Sequence, residues 1–175
     1  MSAAREVEDF RRASRGWTTG VAVLTAGQGE EVFAKTVSSL CTLSLDPLLV
    51  SVAVDRRSPL VTAVRATRRF AVNVLHRDQE PLARRFATAG AGRALGFFTA
   101  APMRPGPTGA PVLETCLAWF DCRLEHVLPG GDHALLVGRV AAADSDPGEP
   151  LLYHAGRFRS LAPARPAATP RGVRA

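Results

Sequence analysis

Apolar and polar positions change rhythm several times along this chain. Between Arg5 and Arg15, Val7, Phe10 and Ser14 fall near one face, and Gly16 stands where a short helix would stop. From Gly20 to Ala26 the run GVAVLTA is apolar and β-branched. The turn Gly27-Gln28-Gly29 leads from it into Glu31 to Ser38, which predicts a hairpin. Pro47 to Val54 (PLLVSVAV) has the length and composition of a buried strand. Ser58-Pro59 predicts a capped helix with proline at its first position, running to Thr67. Phe70 to Leu75 (FAVNVL) is a further strand, and Asp78 is placed to cap the helix that carries Leu82, Ala83, Phe86 and Ala87. Gly90 to Pro111, with five Gly and four Pro, reads as a loop. Leu117 to Val127 and His133 to Ala143 are long strands joined by the turn Pro129-Gly130-Gly131-Asp132. Leu151 to Leu161 gives a last short strand.

Strands dominate, several are joined as hairpins, and no sustained strand–helix alternation supports a doubly wound parallel sheet. The pattern predicts a mainly β protein: a small antiparallel barrel, Greek-key-like, with peripheral helices. The ordered domain is expected over residues 1–161. Residues 162–175, rich in Pro, Ala and Arg, read as a disordered tail.

Composition narrows the picture. At 175 residues, with 46% hydrophobic and 22% charged residues, the chain is one domain with enough apolar surface for its own core. Its most apolar run, Pro47 to Val54, is far shorter than the roughly 20 residues of a membrane span. The opening MSAAREVEDF carries acids and no apolar segment, so no export signal is expected and the protein is placed in the cytoplasm. Cys41, Cys116 and Cys122 are odd in number and lack CxxC spacing, which predicts reduced thiols in apolar surroundings and no metal site.

The net charge of +6 invites a nucleic-acid reading. Its distribution argues against one: Arg165, Arg171 and Arg174 in the tail carry half of it, and Lys35 is the only lysine among 22 basic residues. No nucleic acid and no membrane are expected as partners.

Several catalytic motifs are absent or spoiled. Gly90-Ala91-Gly92-Arg93-Ala94-Leu95-Gly96 brings its third glycine one position late for a dinucleotide fingerprint and follows a helix instead of a strand. There is no GxxxxGK[ST] and no GxSxG. His76, His126, His133 and His154 are scattered.

The segment that carries chemistry is Thr36 to Pro47, TVSSLCTLSLDP. Its five hydroxyl residues, Thr36, Ser38, Ser39, Thr42 and Ser44, exceed what a turn needs. Either they are a Ser/Thr-rich strand and turn closed by Asp46-Pro47, or they bind a phosphate or the polar edge of a planar ring. TVSSLCTLSLDPLLVSVAV resembles the signature of the flavin reductase family with the FMN-binding split-barrel fold. Further blocks follow in the family's order: Thr19-Gly20-Val21 with Val23 and Thr25, FAVNVL with Gln79, Leu82-Ala83 and Phe86-Ala87, then Gly109-Ala110-Pro111-Val112-Leu113. Gly131-Asp132-His133 with Leu136-Val137-Gly138-Arg139-Val140, and Pro150-Leu151-Leu152-Tyr153 with Gly156 and Phe158, complete a match over residues 8 to 161.

The resemblance implies a homodimeric NAD(P)H:flavin oxidoreductase. It would bind FMN or FAD near the dimer interface, take hydride from NADH or NADPH, and supply reduced flavin to a flavin-dependent monooxygenase partner. It also implies roles for residues. Thr36, Val37, Ser38 and Ser39 would line the flavin ring and ribityl chain, with Ser44, Asp46 and Pro47 shaping the loop beside ribityl and phosphate. Ala53 and Val54 would touch flavin from the adjoining strand, and Arg84 or Arg85, beside Phe86, would meet the phosphate. His133 and Tyr153 would face the nicotinamide, with His133 the one catalytic candidate. Ala34-Lys35 stand where the family has Gly and an apolar residue, which places Lys35 at the flavin edge as either an electrostatic partner or a surface strand residue. Two alternatives stay open: an enzyme of this fold that retains FMN and acts on an organic substrate, and a non-catalytic flavin- or haem-binding module.

Overall fold

A computed structural model of the chain describes residues 3–29, 31–88 and 101–162. The spoiled dinucleotide fingerprint and nearly all of the expected tail lie outside those residues. Helix α1 (Ala3–Ser14) is followed by strand β1 (Thr19–Gly20) and the hairpin β2 (Ala22–Gln28) and β3 (Glu31–Val37). A second hairpin, β4 (Cys41–Leu45) and β5 (Leu48–Asp55), leads through α2 (Pro59–Thr67) to β6 (Arg69–Val74). A 3-10 turn (Arg77–Gln79) and α3 (Glu80–Ala87) come next, then β7 (Met103–Pro105) and β8 (Pro111–Leu113). The long hairpin β9 (Ala118–Gly130) and β10 (His133–Ser145) precedes β11 (Leu152–His154) and β12 (Arg157–Arg159).

Seven strands form one antiparallel sheet in the order β3-β2-β6-β9-β10-β5-β4. The β9–β10 hairpin lies between β5 and β6, which α2 joins in sequence; this is the Greek-key crossing that the strand pattern predicted. The sheet curls but does not close, since β3 and β4 remain its edges. A smaller sheet, β1-β11-β12, has its own ladder and packs against the main sheet through Leu151 and Phe158.

Alternation along β2 explains its uninterrupted apolar run, because both of its faces are buried. Ala22, Leu24 and Ala26 face a core shared with Phe70, Val52, Leu136 and the Leu60, Val61 and Val64 stripe of α2. Val21 and Val23 face a second core with Ala34, Leu75, Leu151 and the α3 residues Ala83 and Phe86. A strand sandwiched in this way shows no polar alternation.

Several local expectations change. Ser58 precedes α2, but its side chain makes no capping bond; Pro59 and the Val61 N–H donated to the Ser58 carbonyl open the helix instead. Asp78 lies inside the 3-10 turn and caps nothing. His76 caps that turn, accepting from the Asp78 N–H while its own N–H donates to the Gln79 side chain at 2.8 Å, and α3 itself starts after Gln79 without a side-chain cap. The expected last strand is a hairpin, β11 and β12, turning at Ala155 (φ 50°) and Gly156 (φ 78°). Alanine in the left-handed region is uncommon, and so the turn is hidden in the sequence. Of the three free cysteines, Cys122 is buried and Cys116 partly so, but Cys41 is exposed on edge strand β4. Burial pushes the Cys122 thiol up to about 12 and the Cys116 thiol up to about 11, so both stay protonated at neutral pH.

Candidate active site

The hydroxyl-rich segment lies where the sheet splits. Val37 ends the β2–β3 ladder opposite Ala22, and β4 resumes pairing at Cys41 with Ser51. Ser38, Ser39 and Leu40 therefore lie outside both ladders. A cavity of about 570 Å³ opens at this point. Thr36, Val37 and Ser38 form one wall, Arg84, Ala87 and Thr88 at the end of α3 a second, and Tyr153, Gly156 and Phe158 a third. A second cavity of about 530 Å³ runs from Trp17 to Ala22 and from Ser38 to Thr42. The two share Val21 and Ser38.

Each wall is held by identifiable contacts. The Thr36 hydroxyl donates to the Ala83 carbonyl at 2.7 Å, tying β3 to α3. The Ser39 hydroxyl donates to the Ala53 carbonyl at 2.7 Å and accepts its N–H at 3.1 Å, tying the split to β5. On the third wall the Tyr153 and Phe158 rings meet edge to face, 5.5 Å apart at 64°. The hairpin that carries them is pinned to the N-terminal segment: Ala155 N–H donates to the Arg15 carbonyl, and Thr18 Oγ1 lies 2.8 Å from His154 Nδ1. The Arg84 guanidinium sits 4.9 Å over the Phe158 ring and pairs with Glu80. Thr19, which pairs with Tyr153 in register, keeps a buried Oγ1 with no hydrogen-bond partner among the described residues.

The flavin reductase like domain matches residues 14–162 of this chain. The chain belongs to the flavin reductase family. Among its relatives, the NADH-dependent FMN reductase AsuE2 of Streptomyces nodosus subsp. asukaensis is 39% identical over 155 residues, covering 87% of this chain and 84% of that protein. The reductase component of the 4-nitrophenol 4-monooxygenase/4-nitrocatechol 2-monooxygenase of Rhodococcus opacus is 33% identical, covering 90% and 82%. The Streptomyces globisporus C-1027 NADH:FAD oxidoreductase SgcE6, solved in complex with NAD and FAD fragments, superposes with a TM-score of 0.82 at 32% identity, over 93% of this chain and 97% of that one. The expected split barrel is therefore the fold of this flavin reductase.

A flavin asks for a flat apolar wall, polar groups at its rim and a cation for its phosphate. The two adjacent cavities supply all three, and Thr19 Oγ1, on a residue lining the second, is a buried polar atom without a partner among the described residues. Their volumes fall in the usual small-molecule range of about 300–1,000 Å³. The residues present fit a flavin.

The structure sorts the sequence-derived site residues. Thr36, Val37, Ser38, Arg84 and Tyr153 surround the first cavity, and Ser39 lines the second. Arg85, the next residue after Arg84, points around the helix to a separate cavity of about 260 Å³ beside Asp78 and Leu113. Val54 and Phe86 are buried in the two cores and line neither cavity. Ala53 contributes its backbone to the Ser39 anchor. Ser44, Asp46 and Pro47 belong to the β4–β5 hairpin and stand in the walls of neither cavity. Lys35 lies opposite Leu24 and outside both walls, because the strand alternation that turns Ala34 and Thr36 toward α3 turns Lys35 to the other face.

His133 is at the far tip of β10, opposite Asp55, with its Nδ1 2.7 Å from the Asp132 carboxylate. That imidazole holds the Asp132 carboxyl below its ordinary range. Sequence reasoning passed over Thr19, Thr88, Gly156 and Phe158 as site residues. For Phe158 the signal was incomplete: Gly156 marks a turn after Tyr153, but Ala155 beside it hides the two-residue hairpin that brings the two rings together.

Proposed function

We infer that this protein is an NADH-dependent flavin reductase that reduces FMN or FAD and delivers the reduced flavin to a partner monooxygenase. The observation that carries the reading is the first cavity, where the Thr36-Val37-Ser38 run of the family signature faces Arg84 and the Tyr153–Phe158 pair. A flavin held there would supply the redox chemistry of a hydride acceptor for the nicotinamide. The chain's own part is to bind and align. Val37 and Val21 give an apolar wall, Ser38 and Thr19 give hydroxyls for the polar rim, and Arg84 takes the phosphate. Tyr153 covers the nicotinamide side. Bringing the two cofactors together would need no acid or base from the protein; proximity is the main device.

The reading includes a homodimer. Phe10, Trp17 and Leu45 are 73%, 75% and 87% exposed, and Leu43 and Leu48 flank the last of them on edge strand β4 and its hairpin. A second copy covering these apolar side chains accounts for their exposure. His133, which lies apart from both cavities of its own chain, takes a nicotinamide-side role only if that copy brings it near. Sedimentation should give a species of twice the chain mass, and a monomer at assay concentration would remove both statements. With free thiols and nicotinamide dependence, the cytoplasm is the fitting compartment.

The deciding assay is anaerobic NADH oxidation with and without added FMN or FAD, after the visible spectrum is recorded. A colourless protein whose turnover requires added flavin is expected. A yellow protein that ignores added flavin would replace this reading with an enzyme that retains FMN for an organic substrate.

A further inference from the structure

We propose that Glu80 is a positioning residue for the phosphate end of the flavin: together with Phe158 it holds the Arg84 guanidinium ready to receive the phosphate. This rests on the reading above that Arg84 meets that group. Glu80 opens α3 and Arg84 follows one turn later, the favourable order for a carboxylate and a cation on one helix face. Arg84 Nε donates to Glu80 Oε1 at 2.8 Å, and an Nη amino group lies 2.6 Å from the same oxygen. Phe158, on a different element, supports the flat face of the guanidinium from 4.9 Å. The pair thus fixes the side chain from the helix and from the β11–β12 hairpin at once. Both Glu80 contacts fall on one edge of the fork. The Nη1 amino group has no partner among the described residues, and a guanidinium keeps enough N–H donors for a second acceptor.

The physical effect is pre-organisation. The Arg84 side chain is 65% exposed, so without these supports it would sample many rotamers and lose them on binding. Glu80 and Phe158 remove that freedom before the ligand arrives. The Glu80 charge opposes an incoming phosphate, but that repulsion acts across the guanidinium in a solvated setting, where screening is strong. The hydrogen bond acts at contact, so positioning outweighs repulsion.

FMN and riboflavin differ only in the phosphate, and so the ratio of their dissociation constants isolates this contact. It cancels any change in the ring cavity or in overall stability. Quenching of flavin fluorescence by the full chain, without nicotinamide, gives both constants. Arg84→Ala should cut the preference for FMN over riboflavin about tenfold. Glu80→Ala should cut it about threefold, and Glu80→Gln, which keeps an acceptor oxygen, should restore most of it. A Glu80→Ala preference that is unchanged or increased, while Arg84→Ala lowers it, overturns the role of Glu80. An unchanged preference in Arg84→Ala removes Arg84 from the phosphate, and with it the reading on which the proposal stands.

Discussion

Replacing Asn73 by alanine is expected to cost about 3 kcal/mol of folding stability, although Asn73 touches neither cavity. Asn73 is fully buried on central strand β6. Its Nδ2 donates to the Val23 carbonyl at 3.0 Å and to Thr25 Oγ1 at 3.1 Å, and its Oδ1 accepts the Leu113 N–H at 2.9 Å. Thr25 in turn donates to the Pro111 carbonyl. One amide therefore joins β2, β6 and β8 and fastens the Gly109-Ala110-Pro111-Val112-Leu113 segment to the barrel. Alanine would leave three buried groups short of a partner at roughly 1 kcal/mol each. For a chain of this length the melting temperature should fall by about 6–12 °C. A thermal melt showing a loss under 1 kcal/mol would mean that water replaces the amide and that the network is not what holds the segment.

Gly138→Ala should be at least as damaging, for a different reason. A Cβ at Gly138 would lie 2.4 Å from Phe70 Cζ and 2.8 Å from Cys122 Cβ, both fully buried. No unusual φ is involved, so the cost is overpacking alone. Overpacking by one methyl usually costs about 1–3 kcal/mol, and here the obstacle is a ring end with no exit, which puts the expectation at the upper end or above. Shortening the obstacle tests the cause. Gly138→Ala combined with Phe70→Leu should be more stable than the sum of the two single losses predicts, a coupling of more than about 1 kcal/mol. Additive losses in urea unfolding would place the damage elsewhere.

Both residues come from blocks that resemble the family: Asn73 from FAVNVL and Gly138 from the stretch after Gly131-Asp132-His133. Their roles are in the fold, not in binding. The same division runs through the hydroxyl-rich segment, where two of the hydroxyls serve the fold and a third lines both cavities. Thr36 and Ser39 spend their hydroxyls on Ala83 and Ala53, while Ser38 stands where the two cavities meet. Strand β4, hidden among those hydroxyls, pairs with β5 through a register shift.

Periodicity and composition alone were enough for the strands β2, β3, β5, β6, β9 and β10, the helices α1 and α2, and the antiparallel class. Each of those depends on local pattern: paired apolar runs, Gly-rich turns, a proline at a helix start. The order of blocks was enough for the family. What only the tertiary structure decided is which neighbour of a pair faces the site. Arg84 and Arg85 are equivalent in sequence, and the helical rotation between adjacent residues sends them to different cavities. Lys35 and Thr36 are separated by strand alternation in the same way. Phe158 joins the site through a turn that alanine disguises, and Thr19 through a pairing with Tyr153, more than a hundred residues distant in the chain. Local pattern states what an element is; the direction of each side chain depends on how distant elements pack, and that is settled only when the barrel folds.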